Sequence, residues 1–402
     1  MKTLIKLFAS ASVIFTMILL NNYSADACTT FCLHTDKDLI FGRNYDWMID
    51  YGIVFVNKRN VAKTAFTDSE SPAKWISEFG SMTFNQFGRE FPTGGMNEKG
   101  LVVELMWLEG SEFPDKDQRP ASGGILQWIQ YQLDICETVN EVIETDKVIR
   151  IPKNAVPVHF LVSDRNGNSA TVEFLNGKMV VHSGEDLRYT VLTNDTYDNS
   201  LSYLNQLKEF GGNGELRNDN NSLYRFAKAC MMLRSFERSE EMPAVDYGFK
   251  ILSSVSQGEY TKWSIVYDIK NLKIYYRTFE NRNIRNVDFS GLDFNCDTPV
   301  KMIGVNAGSE GNVNGELKDY SYESNRQLIE DSYGSVDFLK DTPDNVKELT
   351  AKYPERVYCI SKSENKNFNS MNTSNKFSGL VLLIIVPVVF LFFFLFRKKL
   401  LN

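Results

Sequence analysis

The 402-residue chain contains 43% hydrophobic and 24% charged residues, which is the composition of an ordinary globular protein. Its formal net charge of −7 argues against nucleic-acid binding, because proteins that bind nucleic acids carry an excess of basic residues. The three histidines and six cysteines show no metal-ligand spacing, so the sequence predicts no metal ion and no other cofactor.

The first 27 residues have the pattern of a cleavable signal peptide. Basic residues precede an apolar run from Leu7 to Leu20, and the small-x-small sequence Ala25-Asp26-Ala27 follows. Cleavage there makes Cys28 the N-terminal residue, and an α-amine of pKa near about 7.7 to 8.0 can act as the base for its own thiol. Two alternatives stay open, namely that Cys28 is a structural cysteine of an exported protein or that it carries a lipid.

The C-terminal region predicts a membrane anchor. Gly379 to Phe396 is apolar and uncharged, and as a helix it spans about 27 Å, close to the thickness of a bilayer core. Basic residues follow at once, which predicts an anchor over 377–397, a cytoplasmic tail over 398–402 and an extracytoplasmic domain. A buried core helix is the alternative reading, but phenylalanines on all its sides argue against it. Residues 361–376 are rich in Ser, Asn and Lys and predict a polar tether.

The length between the two terminal apolar segments is enough for one large domain or two modest ones, and we predict one domain over residues 28–360. Its first part is predicted to be rich in strands. Alternation of apolar and polar residues predicts strands over Cys28–Leu33, Leu39–Phe41, Ile53–Asn57, Ser81–Phe87 and Leu101–Leu108. The segment Gly94 to Gly100 predicts a turn between the last two strands, and Asn97 and Glu98 within it are interpreted as structural residues.

Blocks of helices and strands alternate in the rest of the domain. Thr138 and Glu141 form a predicted capping box at the start of the second helix. The predicted helices are Ile125–Ile135, Val139–Val148, Tyr197–Phe210, Ser222–Phe236 and Ala244–Ser256. The predicted strands are Val158–Ser163, Ala170–Leu175, Met179–His182, Tyr189–Asn194, Trp263–Tyr267 and Leu272–Thr278. This order predicts an α+β fold with largely antiparallel sheets covered by helices.

Several short motifs of this domain together resemble a known set. They are Cys28 after the cleavage site, Phe41-Gly42-Arg43-Asn44-Tyr45-Asp46-Trp47, Gly95-Met96-Asn97-Glu98-Lys99-Gly100-Leu101, Leu192-Thr193-Asn194, Ser222-Leu223-Tyr224-Arg225-Phe226 and the hairpin from Thr261 to Arg277. The set resembles the choloylglycine hydrolase family, which holds the bile-salt hydrolases and penicillin V acylases within the N-terminal nucleophile hydrolases. The resemblance extends from Cys28 to Arg282 and implies a four-layer αββα sandwich.

The resemblance also implies a role for each residue of the predicted catalytic site. Cys28 would form an acyl-thioester with an N-acyl amide substrate, and its α-amine would be first the base and then the acid. Arg43 would favour the thiolate, and Asp46 would hold the α-amine. Asn194 would donate an amide N–H to the oxyanion, and Arg225 would brace the site. Family members are often tetramers, so the resemblance implies a homo-oligomer.

One residue departs from the family pattern and bears on the substrate. Seven residues beyond the Asn97-Glu98-Lys99-Gly100 turn, where bile-salt hydrolases carry Asn and penicillin V acylases carry Tyr, this chain carries Trp107. We expect Trp107 to bind substrate and to favour aromatic or linear acyl groups over bile salts, unless it points into the core. The alternatives are a conjugated bile-salt hydrolase, an acyltransferase and a catalytically silent binding ectodomain.

Two further features concern export. Asn194-Asp195-Thr196 is an acceptor sequence for N-glycosylation, and a glycan there would occupy the predicted oxyanion donor. All six cysteines follow the predicted cleavage site, so if Cys28 stays free at least one other thiol is unpaired or pairs outside the chain.

Overall fold

The computed structural model describes residues 28–236 and 242–360. The predicted signal peptide, tether and membrane anchor fall on residues 1–27 and 361–402 and lie outside the described residues. Within the two described ranges, no helix is long and apolar enough to cross a membrane.

The helices and strands follow one another along the chain in alternating blocks. The strands are β1 (Thr29–His34), β2 (Leu39–Asp46), β3 (Ile53–Asn57), β4 (Val61–Thr64), β5 (Lys74–Ile76), β6 (Ser81–Asn85), β7 (Pro92–Asn97), β8 (Val102–Trp107), β9 (Val158–Ser163), β10 (Ser169–Leu175), β11 (Lys178–Ser183), β12 (Val191–Leu192), β13 (Thr261–Asp268), β14 (Lys273–Thr278), β15 (Arg285–Asp288), β16 (Lys301–Gly304), β17 (Gly311–Asn312), β18 (Lys318–Asp319) and β19 (Tyr358–Cys359). The helices are α1 (Ile125–Ile135), α2 (Val139–Glu144), α3 (Tyr197–Leu204), α4 (Ser222–Phe236), α5 (Ala244–Ser254), α6 (Tyr322–Ser335) and α7 (Asp344–Ala351).

The strands form two large sheets and one small one. The first large sheet has the order β12-β1-β2-β13-β14-β15-β17, and the second has the order β11-β10-β9-β8-β7-β6-β3-β16-β18. Strands β19, β4 and β5 form the small sheet. Neighbouring strands are antiparallel except β15 and β17, which are parallel. The prediction of largely antiparallel sheets is therefore confirmed.

Alternation along the strands creates two apolar layers. On β8, Val102 and Met106 join the core between the two large sheets, whereas Val103 and Leu105 join a second core with Trp128 of α1. Helices α4 and α5 contact β1, β2, β12 and β13 of the first sheet, and α1 and α2 contact strands of the second. The result is a four-layer αββα sandwich, which confirms the predicted fold class.

The glycine-rich segment before β8 differs from its prediction. Gly94 and Gly95 belong to strand β7, and the turn is confined to the residues after Asn97. A side chain on Gly94 would collide with Glu104 on β8, so the absence of a side chain lets the carboxylate pack there. The side-chain amide of Asn97 donates to two carbonyls at the end of α1 and Glu98 accepts from the N–H of Gly80, so the structural interpretation of both is confirmed.

Helix and strand ends also differ where tertiary contacts intervene. The helix predicted over Tyr197–Phe210 ends at Leu204, because the backbone groups of Gln206 and Lys208 pair with Gly214 instead. The strand predicted over 189–194 is reduced to β12, and α2 is shorter than predicted. The capping box at the start of α2 is present as predicted.

The end of the described chain is fastened back to the domain. Strand β19 pairs with β4, and Cys359 forms a disulfide with Cys296. The other four cysteines are free thiols, which confirms that Cys28 is not the only unpaired one.

Candidate active site

Strand register brings the predicted nucleophile to the predicted oxyanion donor. Thr30 of β1 pairs with Leu192 of β12, and continuing this antiparallel register by two residues sets Cys28 level with Asn194. On its other side β1 pairs with β2, which carries Arg43 and Asp46. The Sγ atom of Cys28 lies 3.8 Å from the backbone oxygen of Asp46.

The thiol of Cys28 is buried among charged groups that act on it in opposite directions. Burial raises its pKa to about 11, and the cation of Arg43 is the largest influence that opposes this. Asp46 adds to the rise, whereas a hydrogen bond to its backbone oxygen and the charge of Arg225 work against it. The thiol is therefore protonated near neutral pH, and attack by its sulfur requires a base close by.

Arg43 is itself held by a carboxylate that the sequence analysis missed. Its guanidinium donates to Glu104 in a buried ion pair and to the backbone oxygens of Thr93 and Leu105, at 3.0 and 3.2 Å. Glu104 also accepts a hydrogen bond from the hydroxyl of Tyr267. Burial raises the pKa of Glu104 to about 7, although Arg43 and Tyr267 oppose the rise. The net positive charge that Arg43 and Glu104 together present to the thiol of Cys28 is therefore smaller when Glu104 is ionised.

We expect Glu104→Gln to lower the pKa of Cys28. The substitution removes a negative charge from beside Arg43, so the guanidinium stabilises the thiolate more strongly, and a shift of roughly one unit is reasonable for a charge at this range. The rate of alkylation by iodoacetamide, measured against pH, reports this pKa. Tyr267→Phe is the matched control, because it removes a donor to the carboxylate but keeps the negative charge, so it should not lower the pKa of Cys28. An unchanged alkylation profile in Glu104→Gln would show that Glu104 does not tune the thiol.

Arg225 connects the nucleophile to the oxyanion donor. From the first turn of α4, one guanidinium nitrogen donates to the backbone oxygen of Cys28 at 2.7 Å and to the hydroxyl of Thr29 at 2.8 Å. The other nitrogen donates to Oδ1 of Asn194 at 3.1 Å. Because a guanidinium is planar and rigid, these bonds fix the two groups relative to each other.

Asn194 is held at its backbone as well as its side chain. Its backbone N–H donates to the hydroxyl of Ser222 at 2.8 Å, and its Nδ2 donates to the backbone oxygen of Trp107 at 2.9 Å. A carboxamide nitrogen carries two hydrogens, so one N–H remains for a substrate oxygen. A glycan on Nδ2 would have to replace these contacts.

Asp46 is the last residue of β2 and lies next to β13, which belongs to the predicted hairpin from Thr261 to Arg277. It is buried, and Oδ1 accepts a hydrogen bond from the hydroxyl of Thr261 on β13. Its backbone oxygen faces Sγ of Cys28, so the residue lies beside both the thiol and the start of β1. The structure thus brings together Cys28, Arg43, Asp46, Asn194 and Arg225.

Trp107 lies at the end of β8, beside the donor. Strict alternation along β8 would turn it towards α1, but its half-buried indole packs against the core between the sheets, with its ring centroid 6.4 Å from that of Trp47. The indole N–H donates to Glu109 at 2.9 Å. Two tryptophans therefore form one apolar wall next to Asn194.

Ser222, Thr261 and Glu104 were not predicted as site residues. Ser222 and Thr261 belong to the motifs quoted above, but the sequence does not show which atoms they contact. Glu104 had a local signal, since it is the one charged residue in the apolar strand β8. A carboxylate in such a strand needs a buried partner, and the partner is 61 residues away in the sequence.

Known proteins are similar to this chain in sequence. The family model for linear amide C–N hydrolases, choloylglycine hydrolase family, matches residues 28–302. The chain is 27% identical over 312 residues to a penicillin V acylase of Pectobacterium atrosepticum, covering 67% of this chain and 82% of that protein. It is 24% identical over 290 residues to a bile salt hydrolase/transferase of Lactiplantibacillus plantarum, covering 62% of this chain and 89% of that protein.

Solved structures agree with these sequence relatives. A penicillin V acylase from Agrobacterium tumefaciens superposes with a TM-score of 0.64 at 28% identity, covering 73% of this chain and 98% of that one. A variant of the conjugated bile acid hydrolase from Clostridium perfringens shares the fold, with a TM-score of 0.57 at 20% identity over 70% of this chain and 98% of that one. The fold is therefore that of the N-terminal nucleophile hydrolases, and the chain belongs to the choloylglycine hydrolase family of linear amide C–N hydrolases.

Proposed function

We propose that this protein hydrolyses N-acyl amides through an acyl-thioester on Cys28. The observation that carries the proposal is the bridge made by Arg225, which ties the backbone of Cys28 to the carboxamide of Asn194. A nucleophile and an oxyanion donor held by one rigid group are what acyl transfer requires. The match to the family model begins at residue 28, which supports Cys28 as the first residue of the mature enzyme.

Each step of the proposed reaction has a group to perform it. The α-amine of Cys28 accepts the thiol proton as sulfur attacks the amide carbon, and the oxygen that gains the electron pair accepts a hydrogen bond from the remaining N–H of the Asn194 carboxamide. The C–N bond then breaks, and the ammonium gives its proton to the leaving amine. In the second half, water adds to the thioester and loses a proton to the α-amine. The C–S bond breaks, and sulfur recovers that proton.

The apolar wall formed by Trp47 and Trp107 supports a preference for aromatic or linear acyl groups. Two neighbouring indoles, with ring planes tilted by 33°, offer apolar contact area to such a group, whereas a rigid steroid needs a wider space. The similarity to penicillin V acylases points the same way.

We expect kcat/KM for penicillin V or a fatty-acyl amide to exceed that for glycocholate by at least about tenfold. Trp107→Asn should reduce this ratio, because the substitution removes the indole and opens the wall. Trp75→Phe is the matched control, since Trp75 lies in the other core, near α1, and should leave the ratio unchanged. A native preference for glycocholate, or the same ratio in Trp107→Asn, would show that this residue does not set specificity.

We also propose that the enzyme is exported and held at the membrane by residues 377–397. The proposal rests on the sequence patterns at both ends of the chain. The Cys296–Cys359 disulfide supports it, because disulfides persist chiefly in oxidising compartments. Recovery of the full-length protein in the soluble cytoplasmic fraction of its own cells would contradict it.

A further inference from the structure

A histidine and a glutamate lie buried side by side between the two large sheets, close to the oxyanion donor. His159 of β9 and Glu173 of β10 are both inaccessible to solvent, and Nδ1 of the histidine lies 3.0 Å from Oε1 of the glutamate. Nε2 on the other side of the ring lies 2.6 Å from the backbone oxygen of Thr193. Each ring nitrogen thus lies within hydrogen-bonding distance of an oxygen atom of the protein.

The pair contacts the donor segment 193–197 at both ends. His159 binds the carbonyl of Thr193, the residue before Asn194. Glu173 accepts a hydrogen bond from the backbone N–H of Tyr197, the first residue of α3, at 3.1 Å. Asn194 lies between these two fixed points.

We infer that His159 and Glu173 are positioning residues that hold the carboxamide of Asn194 in place for the oxyanion. The inference rests on the proposed function of Asn194. Stability alone does not account for the pair, because burying two polar side chains between the sheets carries a desolvation penalty that apolar side chains of similar size would avoid. The pair contacts segment 193–197, which must stay fixed while negative charge develops on the substrate oxygen.

We expect His159→Leu to lower kcat by about ten- to a hundredfold, the range expected when a reacting group moves by about an ångström, with KM changed by less than about threefold. His159→Gln should restore most of the activity, because its amide nitrogen can reach the Thr193 carbonyl from nearly the position of Nε2. Unfolding temperatures measured on the same samples separate this effect from a loss of folded protein.

A double-mutant cycle tests whether the effect passes through Asn194. In an Asn194→Ala background, His159→Leu should lower kcat by less than about twofold further, since the group it positions is gone. The same fold loss in both backgrounds would overturn this inference and leave the proposed function standing. Native kcat in Asn194→Ala would instead overturn both.

Glu90→Gln is the matched control for Glu173→Gln. Glu90 is likewise a buried carboxylate, and it contacts Lys63 at a place away from the site residues. Glu173→Gln should lower kcat in the same way as His159→Leu, whereas Glu90→Gln should lower only the unfolding temperature. Equal losses of kcat in both would show that the effect is a general result of disturbing a buried carboxylate.

Discussion

Protein that begins at Cys28 is expected to hydrolyse amides, whereas protein with extra residues fused to Cys28 should fold and fail. The thiol is buried and its pKa is raised to about 11, so it needs a base next to it. In our proposal that base is the α-amine of the same residue, and a peptide bond at this nitrogen abolishes its basicity. A form starting Met-Cys28 should become active once the methionine is removed.

Turnover of penicillin V and intact mass, measured on the same samples, check this expectation. Cys28→Ala should show no turnover above background in either form. Cys32→Ser is the matched control. Cys32 of β1 is also a buried free thiol, but it contacts Ser163 rather than the site. Full activity in the blocked form would rule out the α-amine as the base.

Arg225→Met is expected to lower kcat by about 10² to 10³, comparable to the loss of an oxyanion donor. The substitution removes the bridge between Cys28 and Asn194 and leaves both of their oxygens without this donor. Arg225→Lys should fail to restore native activity, because a single ammonium does not reproduce a planar group that bonds to two sites at once. Single-turnover rates of thioester formation measure the affected step directly.

Arg285→Met separates catalysis from stability. Arg285 is another fully buried arginine, and its guanidinium donates to the backbone oxygens of Val305 and Ala307 at 2.7 and 2.8 Å. Both arginine variants leave buried carbonyls unsatisfied, at about 1 to 3 kcal/mol each, so both should unfold at lower temperature. Only Arg225→Met should lose kcat, and an equal loss in Arg285→Met would mean that the effect is structural.

Local patterns were sufficient to predict an α+β fold with largely antiparallel sheets, whereas the four-layer arrangement was implied by the resemblance to a known family. Alternation of residues on strands such as β8 and β9, and caps such as Thr138, depend on residues a few positions apart. The predicted elements that were wrong are those that depend on contacts between residues far apart in the sequence. Gly94 and Gly95 are predicted as a turn, yet they belong to β7, where they pair with residues of β6 and β8.

The five predicted site residues were found through motifs, but the residues that hold them in position were not. Motifs indicate which side chains belong together but not which atoms meet. The contact of Arg43 with Glu104 depends on how the two sheets face each other, and so does the contact of His159 with Thr193. The Cys296–Cys359 pairing spans 63 residues and had no spacing that pointed to it.

The attachment at the end of the described chain has a mechanical consequence. Residues 361–402 follow Ile360, so any force transmitted through them enters the domain at β19. There the Cys296–Cys359 bond and the pairing of β19 with β4 receive it, and neither β19 nor β4 carries a residue of the catalytic site. A force on the C-terminal segment therefore acts first on the small sheet. It does not act directly on β1 and β12, the strands that align Cys28 with Asn194.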